Sequence, residues 1–129
     1  MGRRSALVTL MLLLPVLKAG AASVLEFDRW MQQIDRHSQS ILRAIAAQNR
    51  DQASADAQAL ADLYRRMEQF YEQRGGAADA VLASYVGRDH ADSALQALGQ
   101  DDFTRAAAEA AQLARDCRSC HLQFKPIRN

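Results

Sequence analysis

Between residues 24 and 124, apolar side chains return every three or four positions. That period belongs to one face of an α-helix; a strand would repeat every two. Three short links interrupt the pattern, near Asn49, at Arg74-Gly75-Gly76 and at Gly99-Gln100. Links of about two to four residues force consecutive helices to lie antiparallel. The pattern therefore predicts an all-α fold, an antiparallel four-helix bundle running up-down-up-down. Composition agrees. Aromatic residues make up only 6% of the chain, there are two prolines, and alanine dominates from residue 44 onward. These proportions favour helices over a β-sandwich or barrel.

The four segments are expected at about residues 24–48, 51–73, 77–98 and 101–124. In the first, Phe27, Met31, Ile34, Ser38, Ile41 and Ile45 share a face, with Trp30, His37 and Leu42 bordering it. In the second, Ala53, Ala57, Leu60, Tyr64, Met67 and Tyr71 do the same, with Leu63 and Phe70 beside them. The third is less regular. Val81, Ala91, Leu95 and Leu98 fit one stripe, but Arg88 falls on it and Gly87 sits inside the segment. A helix-interior glycine costs about 1 kcal/mol relative to alanine, so a break is expected near Gly87–His90, with His90 in a loop. In the fourth, Phe103, Ala110, Cys117 and Phe124 form one row and Ala106, Leu113 and Cys120 the next. Asp101 or Asp102 is positioned to cap it, and Lys125-Pro126 ends it.

Ahead of the helices stand Arg3-Arg4, an apolar run from Ala6 to Leu17, and Ala19-Gly20-Ala21. A basic start, an apolar stretch and a small-residue end form a secretory leader. The run is too short for a membrane span of about 20 residues. Cleavage is expected after Ala21, leaving residues 22–129 as a single domain in the periplasm. Loss of Arg3, Arg4 and Lys18 turns the formal charge from +1 to −2. Neither value suggests nucleic-acid binding, and −2 is too small to steer a redox partner.

Both cysteines fall in Cys117-Arg118-Ser119-Cys120-His121. Cys-x-x-Cys-His is the attachment signature of c-type haem. Its two thiols add to the porphyrin vinyl groups as thioethers, and the histidine supplies an imidazole to the iron from the proximal side. Other chemistry fits these residues less well. A thioredoxin-like pair opens a helix in a βαβ setting, whereas this one closes a helix. Zinc would want a fourth ligand, and neither His37 nor His90 has a second ligand at zinc spacing. A disulfide across so short a loop gains little chain entropy. A non-haem metal or redox module thus ranks below one covalent haem. Alanines at 106, 107, 108, 110, 111 and 114 suit helix propensity and would also let a flat porphyrin lie close to the backbone. No glycine-rich phosphate loop and no nucleophile with a base are present, so enzymatic activity is not expected.

A four-helix bundle with Cys-x-x-Cys-His close to its C-terminus resembles the cytochrome c prime family, the class II c-type cytochromes. Phe124-Lys125 after the motif resembles the family's aromatic-plus-basic ending. Ala44-Ile45-Ala46 with Asp51 and the alanine-spaced second helix is also similar. The resemblance implies one covalent haem c inside the bundle. It further implies a periplasmic role in electron transfer or gas binding, and a homodimer built on the first two helices.

The family divides on the distal side of the haem. High-spin members cover a five-coordinate iron with an apolar residue of the first helix; low-spin members place a methionine there. Met31 lies on the inward stripe near the start of the first helix, at the level of the end of the fourth. It is the expected distal ligand. His37 is a rival, and Met67 is read as too far along the second helix. Phe27 and Trp30 are expected to pack beside the porphyrin, and Arg29 to pair with a propionate. The resulting expectation is a monohaem electron carrier serving redox partner proteins. The alternative is a five-coordinate protein that binds nitric oxide or carbon monoxide.

Overall fold

Each of the expected segments is a helix, and three of the four open on a side-chain cap. The computed structural model describes residues 22–124. The expected leader, residues 1–21, and the Lys125-Pro126 stop lie outside the described residues, as does the side chain of Cys120. The helices are α1 (Val24–Ala46), α2 (Arg50–Arg74), α3 (Ala78–Gly99) and α4 (Phe103–Phe124). Their 22 to 25 residues correspond to roughly 33–38 Å of helix.

Ser23 opens α1 with a capping box. Its hydroxyl accepts from the Glu26 amide at 3.2 Å, and the Glu26 carboxylate accepts from the Ser23 amide at 2.8 Å. Asn49 caps α2 by accepting from the Gln52 amide at 3.1 Å. Of the two candidate aspartates before α4, Asp102 is the cap, accepting from the Arg105 amide at 2.9 Å. Asp101 takes a positive φ of 56° and accepts instead from Arg50 at 3.0 Å, which ties the α1–α2 and α3–α4 links together. Between α2 and α3, Gly75 and Gly76 both hold φ near 69° and 68°, a conformation only glycine adopts without strain.

The helices form a four-cornered ring. α1 packs on α2 and α4, and α3 packs on α2 and α4, while neither diagonal pair approaches closely among the described residues. One large aliphatic side chain from each helix is wholly buried: Ile41, Leu60, Leu98 and Leu113. Each such burial contributes about 1.5–3 kcal/mol relative to exposure. The stripes expected for α1 and α2 match the observed core, from Ile34, Ser38, Ile41 and Ile45 to Ala53, Ala57, Leu60, Tyr64 and Met67.

α3 departs from the sequence reading in two ways. It runs unbroken through Gly87–His90, so His90 is a helical residue. Its buried seam shares Ala91 and Leu98 with the expected stripe but otherwise differs: Ala80, Ser84, Gly87, Ala91, Ala94 and Leu98. These positions step by four and three, the spacing of a helix seam, and all but the last are small. Val81 and Leu95, which hydropathy would choose, lie only partly buried. Gly87 does not break the helix because its missing side chain is filled by a neighbour: the Tyr64 ring lies where a Cβ would stand. The Ser84 hydroxyl is satisfied by donating to the Ala80 carbonyl at 2.8 Å. Arg88 leaves the core by pairing with Glu68 at 3.4 Å.

Two histidines lace helices together. His37 of α1 lies 2.8 Å from the buried Asp56 carboxylate of α2, which also accepts from Gln52 at 3.2 Å. His90 of α3 lies between two carboxylates of α4, with Nδ1 2.7 Å from Glu109 and Nε2 3.6 Å from Asp116. Among the described residues no helix is long and apolar enough to cross a membrane.

Candidate functional site

Antiparallel packing brings the start of α1 and the ends of α2 and α4 to one end of the bundle. Met31 lies seven residues after the start of α1, Met67 seven before the end of α2, and Cys117 seven before the end of α4. All three therefore sit at one level. They line a single cavity of about 330 Å³, together with Ile34, Asp35, Tyr64, Ala114, Arg118, His121 and Leu122.

The cavity exists because α4 is narrow at this level. It offers Ala114 and Cys117 opposite Met31, Ile34, Tyr64 and Met67. The wall is mainly apolar, as is usual for cofactor and small-molecule sites. Met67 is packed at 2% exposure, whereas Met31 is half-buried. His121 and Leu122 are exposed on the rim, Leu122 at 84%, so the cavity opens to solvent past the last turn of α4.

Cys117 is partly buried and packs against the core. Its Sγ is 3.2 Å from the Tyr64 hydroxyl, across the diagonal of the bundle, and 3.9 Å from the Ser38 hydroxyl. Asp116, the preceding residue, is held by Gln112 at 2.9 Å, with His90 close by. The last turns of α4 are thus fixed from α1, α2 and α3.

The structure brings together three of the residues singled out from the sequence: Met31, Cys117 and His121. Cys120, a fourth, has a helical backbone position one turn beyond Cys117, but its side chain lies outside the described residues. Arg29 is exposed and does not line the cavity. Phe27 and Trp30 do not line it either. Phe27 stacks on Phe70 with ring centroids 4.6 Å apart, and Trp30 meets the same ring edge-on at 6.3 Å. His37 is engaged with Asp56 and is absent from the cavity wall.

Sequence reasoning missed Tyr64, Met67 and Arg118 as site residues. Counted from the start of α2, Met67 stands far along the helix. Counting back from the end of an antiparallel helix, rather than forward from its start, would have placed it level with Met31. Arg118 is a cation inside the motif itself and lines the cavity mouth. Among the described residues, no three of His, Cys, Asp and Glu gather where they could hold a metal ion. Compared with protein-family models, with curated proteins and with solved structures, the chain matches none.

Proposed function

We propose that the chain is an exported monohaem c-type cytochrome that carries electrons. The haem is held as thioethers by Cys117 and Cys120, with His121 as proximal iron ligand and Met31 as distal ligand. The observation that carries this reading is the cavity at the end of α4. It gathers one motif sulfur, the motif histidine and two methionine sulfurs around an apolar space. Three residues of the motif, Cys117, Arg118 and His121, line this cavity.

The residues present fit the group. A space of about 330 Å³ is at the low end of the range for cofactor sites, about 300–1,000 Å³. Its open rim lets a flat group extend outward past Leu122. Arg118 at the mouth is better situated than Arg29 to pair with a propionate, since guanidinium and carboxylate match in geometry and charge. Bound here, haem supplies a one-electron iron couple, whose potential a methionine–histidine pair raises. The chain contributes soft and imidazole donors, a mainly apolar wall, and helices tied to one another by Arg50–Asp101 and His37–Asp56. Met31, half-buried, has room to turn inward, whereas Met67 is already packed among core residues.

The test is spectroscopic. The exported chain should gain the mass of one haem and show a low-spin ferrous spectrum that carbon monoxide leaves unchanged. Met31→Ala should convert it to a high-spin, carbon monoxide-binding form, while Met67→Ala should not. The reverse result assigns the sixth position to Met67. A wild-type spectrum that is already high-spin and shifts with carbon monoxide replaces the electron carrier with the gas-binding reading. Absence of covalent haem by mass overturns both.

A further inference from the structure

Shifted by 53 positions, the hairpin α3–α4 repeats the hairpin α1–α2. The links coincide. Gln48 and Asp101 both hold a positive φ, 53° and 56°, and Asn49 and Asp102 both cap the helix that follows. The two cap amides donate to matching carbonyls, Ala44 at 2.8 Å and Ala97 at 2.9 Å. The clasps coincide too: His37 lies 2.8 Å from Asp56, and His90 2.7 Å from Glu109. Tyr64 and Cys117 are themselves counterparts and meet between the hairpins at 3.2 Å. The second hairpin departs from the first just before Cys117. Where the first has Ala59, Asp62 and Leu63, the second has Gln112, Arg115 and Asp116. These three form a chain. Arg115 donates to the Gln112 side-chain oxygen at 3.1 Å, and Gln112 donates to Asp116 Oδ1 at 2.9 Å. Leu63 is 5% exposed, so the first hairpin fills this position with an apolar side chain. A carboxylate there is costly unless paired. Asp116 Oδ2 is shielded from solvent and has no hydrogen-bond partner among the described residues. His90 Nε2, at 3.6 Å, is too far to serve as a donor. The clasp does not need this carboxylate either, since His37 holds the first hairpin through Asp56 alone.

We propose that Asp116 sets the reduction potential of the haem, as a negative charge fixed at the residue before the attachment motif. This inference rests on the haem reading above. Reduction brings one electron from a redox partner protein to the ferric iron; no bond forms or breaks, and no proton moves. The iron loses one positive charge, so a fixed anion nearby opposes the step and favours the ferric state. With Oδ2 out of water, the charge is screened less than an exposed one would be. Gln112 and Arg115 keep it from turning away to solvent. The first hairpin carries no motif, and it has neither the carboxylate nor the chain that holds it.

Three substitutions separate charge from shape. Asp116→Leu supplies the side chain that the first hairpin uses, so the variant should fold. Asp116→Asn removes the charge and keeps an oxygen for Gln112. Asp116→Glu keeps the charge. Each exported, haem-loaded chain is poised in a redox buffer at one ambient potential, and the ferrous-to-ferric ratio is read by absorption. The ratio should rise about ten-fold in the Leu and Asn variants, the order expected for unit charges roughly 10–15 Å apart at an effective dielectric constant of about 20. It should change little in the Glu variant. The urea midpoint should rise in Asp116→Leu, which replaces a shielded, unpartnered oxygen with apolar surface. A purely structural carboxylate gives the opposite pattern, a lower midpoint and a constant ratio. A ratio that is unchanged or lower in the Leu and Asn variants overturns the proposal and leaves the haem reading intact. So does a Glu variant that shifts as far as Leu, because shape and not charge would then be responsible. Wild-type chain without haem by mass overturns the haem reading, and this proposal with it.

Discussion

Replacing Gly87 by alanine sets two effects of known size against each other. In an ordinary helix interior the change stabilises by about 1 kcal/mol. Here the added Cβ would stand 2.6 Å from two atoms of the Tyr64 ring, against an optimum of about 3.5–4.0 Å for carbon contacts. The ring must retreat by about 1 Å. It has little room to do so, being 6% exposed and joined to Cys117 through its hydroxyl. Overpacking of this kind costs about 1–3 kcal/mol, and loss of the hydroxyl contact adds about 1 kcal/mol. The net expectation is destabilisation by about 1–3 kcal/mol once the propensity gain is subtracted. For a domain of this size each kcal/mol lowers Tm by about 4–8 °C.

Urea unfolding followed by far-UV circular dichroism measures this, with wild type and variant compared in the same haem-loading state. Gly99→Ala is the internal control: nothing lies within 4 Å of its added Cβ, so it should be neutral or mildly stabilising. A second control exploits coupling. In a Tyr64→Ala background the notch is empty, and Gly87→Ala should then stabilise by about 1 kcal/mol. The sign of one substitution thus reverses with the presence of one ring. If Gly87→Ala raised the midpoint with Tyr64 in place, the ring could not be in the notch and the account of α3 would fail.

Two further substitutions probe how the helices are held. His37→Ala removes the α1 partner of the buried Asp56 carboxylate and leaves it only Gln52. The loss should be about 1.5 kcal/mol in urea unfolding, the lower end for hydrogen bonds to a charged group, because His37 is 36% exposed and water replaces part of it. Asp102→Ala removes the α4 cap and should cost about 1 kcal/mol, whereas Asp102→Asn, which retains an accepting oxygen for the Arg105 amide, should recover most of it.

How much of the fold was legible depended on which side chains built each face. In α1 and α2 the buried face carries Ile34, Ile41, Leu60 and Met67, large enough for hydropathy to mark it. In α3 the buried face is Ala80, Ser84, Gly87, Ala91 and Ala94. Smallness rather than hydrophobicity selects those residues, since they admit α2 and its Tyr64. A search for large apolar residues therefore settles on Val81 and Leu95, and reads Gly87 as a break. For a related reason the sequence pattern does not show what Phe27 and Trp30 face. Phe27 lies on the α1 stripe and Trp30 borders it, but both pack on Phe70 of α2, and only the pairing geometry reveals that side. The motif residues were legible because they are contiguous in sequence, whereas Tyr64 lines the cavity through a contact across 53 positions of sequence.

The cavity can be understood from the same distribution of side-chain sizes. At the end of the bundle closed by the Arg50–Asp101 tie, the core is alanine on three helices: Ala53 and Ala57 on α2, Ala94 and Ala97 on α3, Ala106 and Ala110 on α4. Small residues facing one another let helices approach without leaving a void. At the other end α1 and α2 contribute long side chains, while α4 continues with Ala114 and Cys117. Helix spacing follows the bulk of the contact residues, so long side chains opposite short ones leave space that no single rotamer fills. A void of this kind is a stability deficit, which a larger residue at 114 would reduce. A bound apolar group relieves it differently, stabilising the folded state by its preference for that state over the unfolded chain. On the proposed reading, the room kept at 114 beside Cys117 is space for a guest held by that sulfur.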